Sequence, residues 1–290
     1  MLNLSHVKTF VTVIDEGGFH EAARKLELSQ PSVTQHIKKL ETALKASLIV
    51  RSHASCTPTT NGSRFLPHAR RLLEIATRAQ DTVIRNDLAI GASNNIGTYL
   101  LQPHLKKFID ASGPDMSTSI KLDRNPQLVE QLTDGQIDIA LMEWWDDRPG
   151  FNATIWHREH LKVIVSPDHL WARNQTLSQD ELFSTPMIGG EAGSGTATLL
   201  KKVFGADARR LKISMTLGST EAVKHAVMAN LGVSIVFEGS VHQEVKSGRL
   251  VALDVDDAEL IKDLYAVVPS SLHSDSHAHA FESHLRANIP

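Results

Sequence analysis

The most restrictive feature of the chain is a helical rhythm between Leu4 and Leu44 that is broken twice at short intervals. Leu4, Val7, Phe10, Val11 and Ile14 recur at the spacing of one face of an amphipathic helix. Gly17-Gly18 stops that helix, and a second, short one is expected from about Phe19 with Ala22, Ala23 and Leu26 inward. The small alanines let a neighbouring helix approach closely. Ser29 is a good N-cap and Pro31 is tolerated in a first turn, so a third helix starts there and buries a stripe of Val33, Ile37, Leu40 and Leu44. Its other face presents Gln30, Ser32, Thr34, Gln35, Lys38 and Lys39. A short helix, a tight turn and a capped helix with such a face make a helix-turn-helix pattern. Gln pairs bidentately with adenine, Ser and Thr reach either kind of base edge, and lysines neutralise phosphates. A three-helix bundle whose polar face meets only water fits the same spacing.

Charge bears on the two readings without deciding between them, since a fluctuation in solvated surface charge gives the same asymmetry. Residues 1–71 carry a net charge of +5 and residues 72–290 one of −8 within an overall −3, so a basic segment leads an acidic body. One part is suited to a polyanion and the other is not. Ser47 to Arg51 and the stretch ending at Pro58 read as short strands around a polar turn, a small wing on which Arg51 can reach a phosphate or minor groove. Thr60 is expected to cap a long helix running to about Arg85. Phe65, Ala69, Leu72, Ala76, Ala79 and Val83 form a narrow seam along it, better matched to a partner helix than to a broad core.

The stretch from Phe10 to Pro67 resembles the DNA-binding domain of the LysR-type transcriptional regulators. The resemblance rests on Phe10, Glu16-Gly17-Gly18-Phe19, Ala22-Ala23, Leu26, Leu28 through Thr34, Ile37, Leu40-Glu41, Leu44, Leu48, Arg51, Thr59 and Gly62. Three residues depart from the family pattern. His20 stands where a helix-capping Ser is usual, Lys45 replaces a Gly that ends the recognition helix, and Ile49 replaces a Phe before the wing. Lys45 must take a strained turn or extend the helix.

Beyond Asp87, short apolar runs at Leu88–Gly91, Ser119–Leu122, Ile137–Leu141, Leu161–Val165 and Val233–Phe237 alternate with helical stretches at Tyr99–Ile109, Leu128–Leu132 and Thr220–Ala229. Such alternation implies α/β units with largely parallel sheets. The resemblance continues through Ile90 to Ser93, Leu132 to Ala140, Gly218 to Val223 and Gly232 to Ile235. It implies an effector domain of two lobes like the periplasmic solute-binding proteins, with the chain crossing near Ser166 and near Val267. The fold class is thus α/β with an N-terminal winged helix-turn-helix. Residues 1–60 form the DNA-binding domain, 61–86 the linker and dimerisation helix, and 87–290 the effector domain. Lobe I takes about 87–165 and 267–290, lobe II about 166–266.

Three segments share one chemistry, a strand ending in small polar residues where a helix begins: Ser93-Asn94-Asn95, Gly193-Ser194-Gly195-Thr196, and Gly218-Ser219-Thr220. Unpaired amides and the helix dipole make such junctions anion sites, although each Ser or Thr can equally be a plain helix cap. Their number, with the resemblance, places a small-molecule effector between the lobes. The candidate effector-binding residues are Ser93, Asn94, Asn95, Glu143, Trp144, Ser194, Gly195, Thr196, Ser219 and Phe237. The candidate DNA-binding residues are Gln30, Pro31, Ser32, Thr34, Gln35, Lys38 and Arg51. The effector is expected to be a small organic anion. Of the adjacent Trp144 and Trp145, at most one easily faces a ligand; Trp144 can stack on a planar or aromatic group, or pack at a hinge. Glu143 repels a carboxylate unless it is protonated or engaged, and can instead accept from an amine or hydroxyl donor of the ligand.

No nucleophile elbow, P-loop or dinucleotide fingerprint is present, so no catalytic residue is assigned. His273, His277, His279 and His284 lack a cysteine partner or a metalloprotease motif, and no metal or cofactor is expected. His157 and His160 are expected on a solvated loop. Cys56 is read as a plain wing residue, with redox sensing as the alternative. The partners implied are double-stranded operator DNA, a small-molecule effector and further copies of the chain: a homodimer through the linker helix and, from the resemblance, a homotetramer. One cysteine, no signal peptide and no long apolar run imply a cytoplasmic protein without a membrane segment. The competing readings are a solute-binding protein without gene control and an enzyme.

Overall fold

The computed structural model describes residues 2–51, 56–84, 86–113, 116–189 and 195–287, and the chain divides into two units, Met1–Arg85 and Asn86–Pro290. In the first unit α1 (Leu4–Asp15), α2 (Phe19–Lys25) and α3 (Gln30–Leu44) are followed by β1 (Ile49–Arg51), β2 (Cys56–Pro58) and a long α4 (Thr60–Ile84). The apolar faces read from spacing meet in one core of Val7, Phe10, Val13, Ala22, Val33, Ile37 and Leu40. Gly17, at φ +72°, makes the turn that ends α1.

The helix ends differ in detail from expectation. Gly18 is the N-cap of α2 and supplies no side-chain cap, so His20 lies inside the first turn rather than at the capping position. Ser29 caps α3, accepting from the Ser32 amide at 3.2 Å. Lys45 ends α3 in the left-handed region at φ 52° and ψ 35°, so the strained turn is the outcome, not a longer helix. Thr59 rather than Thr60 caps α4, its hydroxyl accepting from the Gly62 amide at 3.0 Å. Ile49 fills its wing position as a buried residue. β1 and β2 pair antiparallel, Ile49 opposite Pro58.

The seam expected on α4 divides. Phe65 and Ala69 pack into the unit's own core, joined by Leu66 and Leu73, whereas Leu72, Ile75 and Ala79 are exposed. The early turns lie against the bundle, so the face left for a partner starts at Leu72. The Val83 side chain lies outside the described residues.

The second unit runs β3 (Asn86–Ala92), a π-helical turn (Ile96–Leu100) continuing as α5 (Leu101–Ser112), β4 (Met116–Leu122), α6 (Asn125–Thr133), β5 (Ile139–Met142) and β6 (Phe151–Val165). Then come β7 (Thr176–Leu177), α7 (Gln179–Ser184), β8 (Pro186–Gly189), α8 (Gly195–Phe204), β9 (Lys212–Thr216) and α9 (Thr220–Met228). The unit closes with β10 (Ser234–Phe237), α10 (Glu238–Lys246), β11 (Val251–Val255), β12 (Ile261–Pro269) and α11 (His277–Ala287).

Its two lobes share β6. The first lobe has the strand order β4-β3-β5-β12-β6, with β3 parallel to both neighbours. The second is built on the other end of β6, where Leu161–Ile164 pair with β10 and Val163–Val165 with β11. A bridge between Met187 and Val233 carries that lobe on to the parallel pair of β8 and β9. Every residue of β5 and β10 is buried, as strands covered on both faces require. The connecting strands β6 and β12 are antiparallel, unlike the parallel strands around them.

The partner change in β6 falls between His160 and Leu161, and β12 joins β6 from Ile261, so both passages lie earlier than Ser166 and Val267. The apolar run Leu161–Val165 is only the end of a strand whose first part is polar and half-buried. His157 and His160 therefore stand on a strand, not on a loop. Among the described residues no helix is long and apolar enough to cross a membrane.

Candidate functional site

Two surfaces carry the candidate residues. On the first unit α3 exposes Gln30, Pro31, Gln35 and Lys38, with Thr34 and Ser32 half-buried beside them. Ser32 is also tied into the helix start, its hydroxyl 2.8 Å from that of Ser29. Glu41 fastens the wing to the same helix by accepting from the Leu48 amide at 2.7 Å. Arg51 lies on β1; its side chain is outside the described residues.

On the second unit a cavity of about 760 Å³ opens at the carboxyl ends of β3, β4, β5, β8, β9 and β10. Open α/β sheets bind ligands at this position. Ser93, Asn94, Asn95, Glu143, Trp144, Gly195, Thr196, Ser219 and Phe237 all line it. Ser194 lies outside the described residues. The starts of four helices face the same space: Asn94-Asn95 before the π turn, Asn125 of α6, Gly195-Thr196 of α8 and Ser219-Thr220 of α9. Each brings amides without intrahelical partners and the positive end of a dipole. Trp144 lines the cleft while Trp145 packs edge-on against Phe151 at 5.9 Å, which resolves the tryptophan pair.

A buried ion pair organises the floor. Glu143 Oε2 accepts from Lys262 Nζ at 2.7 Å, and Oε1 accepts from Ser93 Oγ at 3.2 Å and Asn95 Nδ2 at 3.1 Å. Lys262 lies 4.9 Å over the Phe237 ring and 3.5 Å from Thr196 Oγ1. Burial pushes the Lys262 ammonium below the usual lysine range, opposed by the carboxylates of Glu143 and Glu159. Gly195 fits against this pair only because it lacks a side chain: a Cβ there would stand 2.8 Å from Lys262 Nζ and 2.9 Å from Glu143 Oε2. Glu143 is thus engaged, and its carboxylate orients Ser93, Asn95 and Lys262 rather than standing open to a ligand.

Besides the contact of Lys262 with Thr196, hydrogen bonds from Thr220 and Tyr99 join the lobes across the cleft. Thr220 Oγ1 donates to Asn95 Oδ1 at 2.7 Å, and Tyr99 OH donates to Glu221 Oε1 at 2.8 Å. Lys224, buried on α9, bonds Glu221 at 2.7 Å and Glu244 at 2.9 Å. Burial, then the bond to Glu221, raises the Tyr99 phenol above its ordinary range, and Lys224 lowers the Glu221 carboxyl.

The sequence reading missed Lys262, Tyr99, Glu221 and the group Asp123-Arg124-Asn125, which also lines or supports the cleft. Arg124-Asn125-Pro126 follows a strand and opens a helix, so the rule that found the other junctions reaches it. Lys262 carries no local signal. The C-terminal histidines have other surroundings: His279 faces Glu282 at 3.5 Å, and His284 packs against Phe108 and Phe281.

A winged helix-turn-helix unit and a two-lobed α/β unit with a cleft at its strand ends define a DNA-binding regulator with a small-molecule-binding domain. Residues 4–63 match the family model of the bacterial regulatory helix-turn-helix protein, lysR family, and residues 82–290 match that of the LysR substrate binding domain. The chain belongs to the LysR family of transcriptional regulators. It is 42% identical over 196 residues to a protein of Stutzerimonas stutzeri named as an HTH-type transcriptional regulator, PtxE, covering 68% of this chain and 100% of that one. With the HTH-type transcriptional regulator CysL of Bacillus subtilis it shares 25% over 288 residues, 97% of this chain and 96% of the relative. Full-length CbnR, solved in complex with its target DNA, has the same fold with a TM-score of 0.73 over 99% of both chains at 21% identity. An H2O2-bound mutant of Corynebacterium glutamicum OxyR aligns with a TM-score of 0.61 at 25% identity, over 98% of this chain and 92% of that one. The readings as an enzyme and as a solute-binding protein without gene control give way to this assignment.

Proposed function

We propose that this regulator binds operator DNA as a dimer and responds to a small organic anion held between the effector lobes. Gln30, Thr34 and Gln35 read base edges, Lys38 and Arg51 contact phosphates, and Pro31 and Ser32 set the start of α3. The exposed face of α4 from Leu72 to Ala79 joins two copies, and effector domains pair dimers into tetramers.

One observation carries the choice of ligand: four helix starts converge on a single cleft whose buried carboxylate is already neutralised by Lys262. A carboxylate or similar group bound there gains amide and hydroxyl donors without meeting an unpaired negative charge. Ligand binding changes the population of lobe arrangements only as far as it prefers one of them. A thermal-shift comparison of small carboxylates and oxyanions with amines and neutral molecules of like size tests this. Stabilisation by an anion is expected, whereas stabilisation by amines alone contradicts it.

A further inference from the structure

On the first unit the rings of His6, on α1, and His36, on α3, lie 4.6 Å apart between centroids. Both are half-buried, and α3 is the helix that exposes Gln30, Gln35 and Lys38. One hydrogen position follows from the contacts. The Thr9 hydroxyl donates to the Ser5 carbonyl at 2.8 Å, and a hydroxyl has only one hydrogen to give. Thr9 Oγ1 must therefore accept from His36 Nδ1, 2.9 Å away. Neutral His36 carries its hydrogen on Nδ1, so Nε2 is the nitrogen that receives a second proton.

The surroundings oppose charging of His6 in the isolated protein. Burial first, then His36 and Lys39, both on α3, hold His6 below the usual imidazole range. The first turns of α1 and α3 contain no acidic residue. The carboxylates of α3 and of the far end of α1 are committed elsewhere: Glu41 to the wing amides, Asp15 to Arg70 of α4 at 2.6 Å, and Glu16 to Lys25 of α2 at 2.5 Å. Among the described residues no carboxylate is paired with His6, His36 or Lys39. A DNA backbone laid along α3 supplies an anion, and like-charge repulsion between the two rings allows one proton rather than two.

We propose that His6 and His36 form a proton-taking phosphate contact of the DNA-binding surface, so that engaging a duplex charges the pair by one proton. The proposal rests on α3 being the helix laid on DNA. Binding of the full chain to a random-sequence duplex, measured at pH 6 and pH 8 at several salt concentrations, tests it in wild type, His6→Gln and His36→Asn. Asn keeps an amide donor for Thr9 Oγ1; His36→Gln serves as a further variant, and melting temperature is followed in each. The other histidines are common to all of these proteins, so differences isolate the pair. Wild-type affinity should fall with rising pH by up to about tenfold per unit beyond the fall seen in the variants. Its salt slope should be steeper by about 0.9 at pH 6 than at pH 8, as one more neutralised phosphate requires. The variants should lose both differences and match wild type at pH 8. Folded variants that keep the wild-type pH and salt response overturn the proposal while α3 stays on DNA. A wild-type chain that binds no duplex at either pH removes the placement of α3, and the pair with it.

Discussion

Lys262 Nζ and Glu143 Oε2 stand 2.7 Å apart, both buried, and tie the start of β12 to the end of β5 beneath the cleft. Removing one partner leaves the other charge buried without its counter-ion. Lys262→Met should therefore destabilise the second unit by about 3–5 kcal/mol. Glu143→Leu combined with Lys262→Met should recover most of that loss, because no unpaired charge remains. Urea unfolding followed by tryptophan fluorescence reads both, since all four tryptophans lie in that unit. A double variant as unstable as the single one would show that packing, not charge, accounts for the pair.

The bond from Tyr99 to Glu221 should give lobe stability two pH limits. Lys224 lowers the Glu221 carboxyl below its ordinary 4.5, so its contribution is present above that pH and fades as pH falls through the folded value. Burial and Glu221 raise Tyr99 above its ordinary 10.0, so its contribution is present below pH 10 and fades as pH rises through the folded value. Tyr99→Phe should cost about 1 kcal/mol near neutrality and abolish the alkaline decline that Tyr99 causes. The acid limit should persist in that variant through Lys224. Unfolding free energy measured across pH for the two proteins checks each limb.

Lys45 occupies a left-handed C-cap where an L side chain is strained. Lys45→Gly should stabilise the first unit by about 1 kcal/mol, with α3 unchanged at its reading end. A lower urea midpoint for that unit would mean that the Lys45 stem makes contacts outweighing the backbone strain.

These cases show which parts of the molecule can be read from sequence. The helices around Ala22 and Val33 and the cap at Ser29 declare themselves because spacing and capping are local. The junctions at Ser93, Thr196 and Ser219 are legible for the same reason. Glu143 and Lys262 are 119 positions apart, and nothing in the immediate neighbourhood of either residue announces a partner at that distance. The first part of β6 is hidden by its polar, half-buried surface. The α4 seam misleads because the two faces of one helix meet different partners, the bundle at Ala69 and solvent at Leu72.

Leu72 is 37% exposed on the chain alone, which is the state expected of a residue awaiting a partner helix. Leu72→Glu should convert a dimer to a monomer in sedimentation while the second unit keeps its melting temperature. Operator affinity should fall with it, because two half-sites are no longer engaged together. A Leu72→Glu protein that stays dimeric would place the subunit contact elsewhere.

The central claim is that a small anion binds among the helix starts between the lobes. Titration calorimetry of an anion selected by thermal shift, on wild type, Thr196→Val and Ser93→Ala, tests it most directly. Thr196→Val keeps the volume and removes the hydroxyl, so binding should weaken by about 1–2 kcal/mol. Ser93→Ala removes a donor to Glu143 and should weaken binding in the same sense. Wild-type affinity in both variants would contradict the interlobe site and send the anion to another part of the molecule.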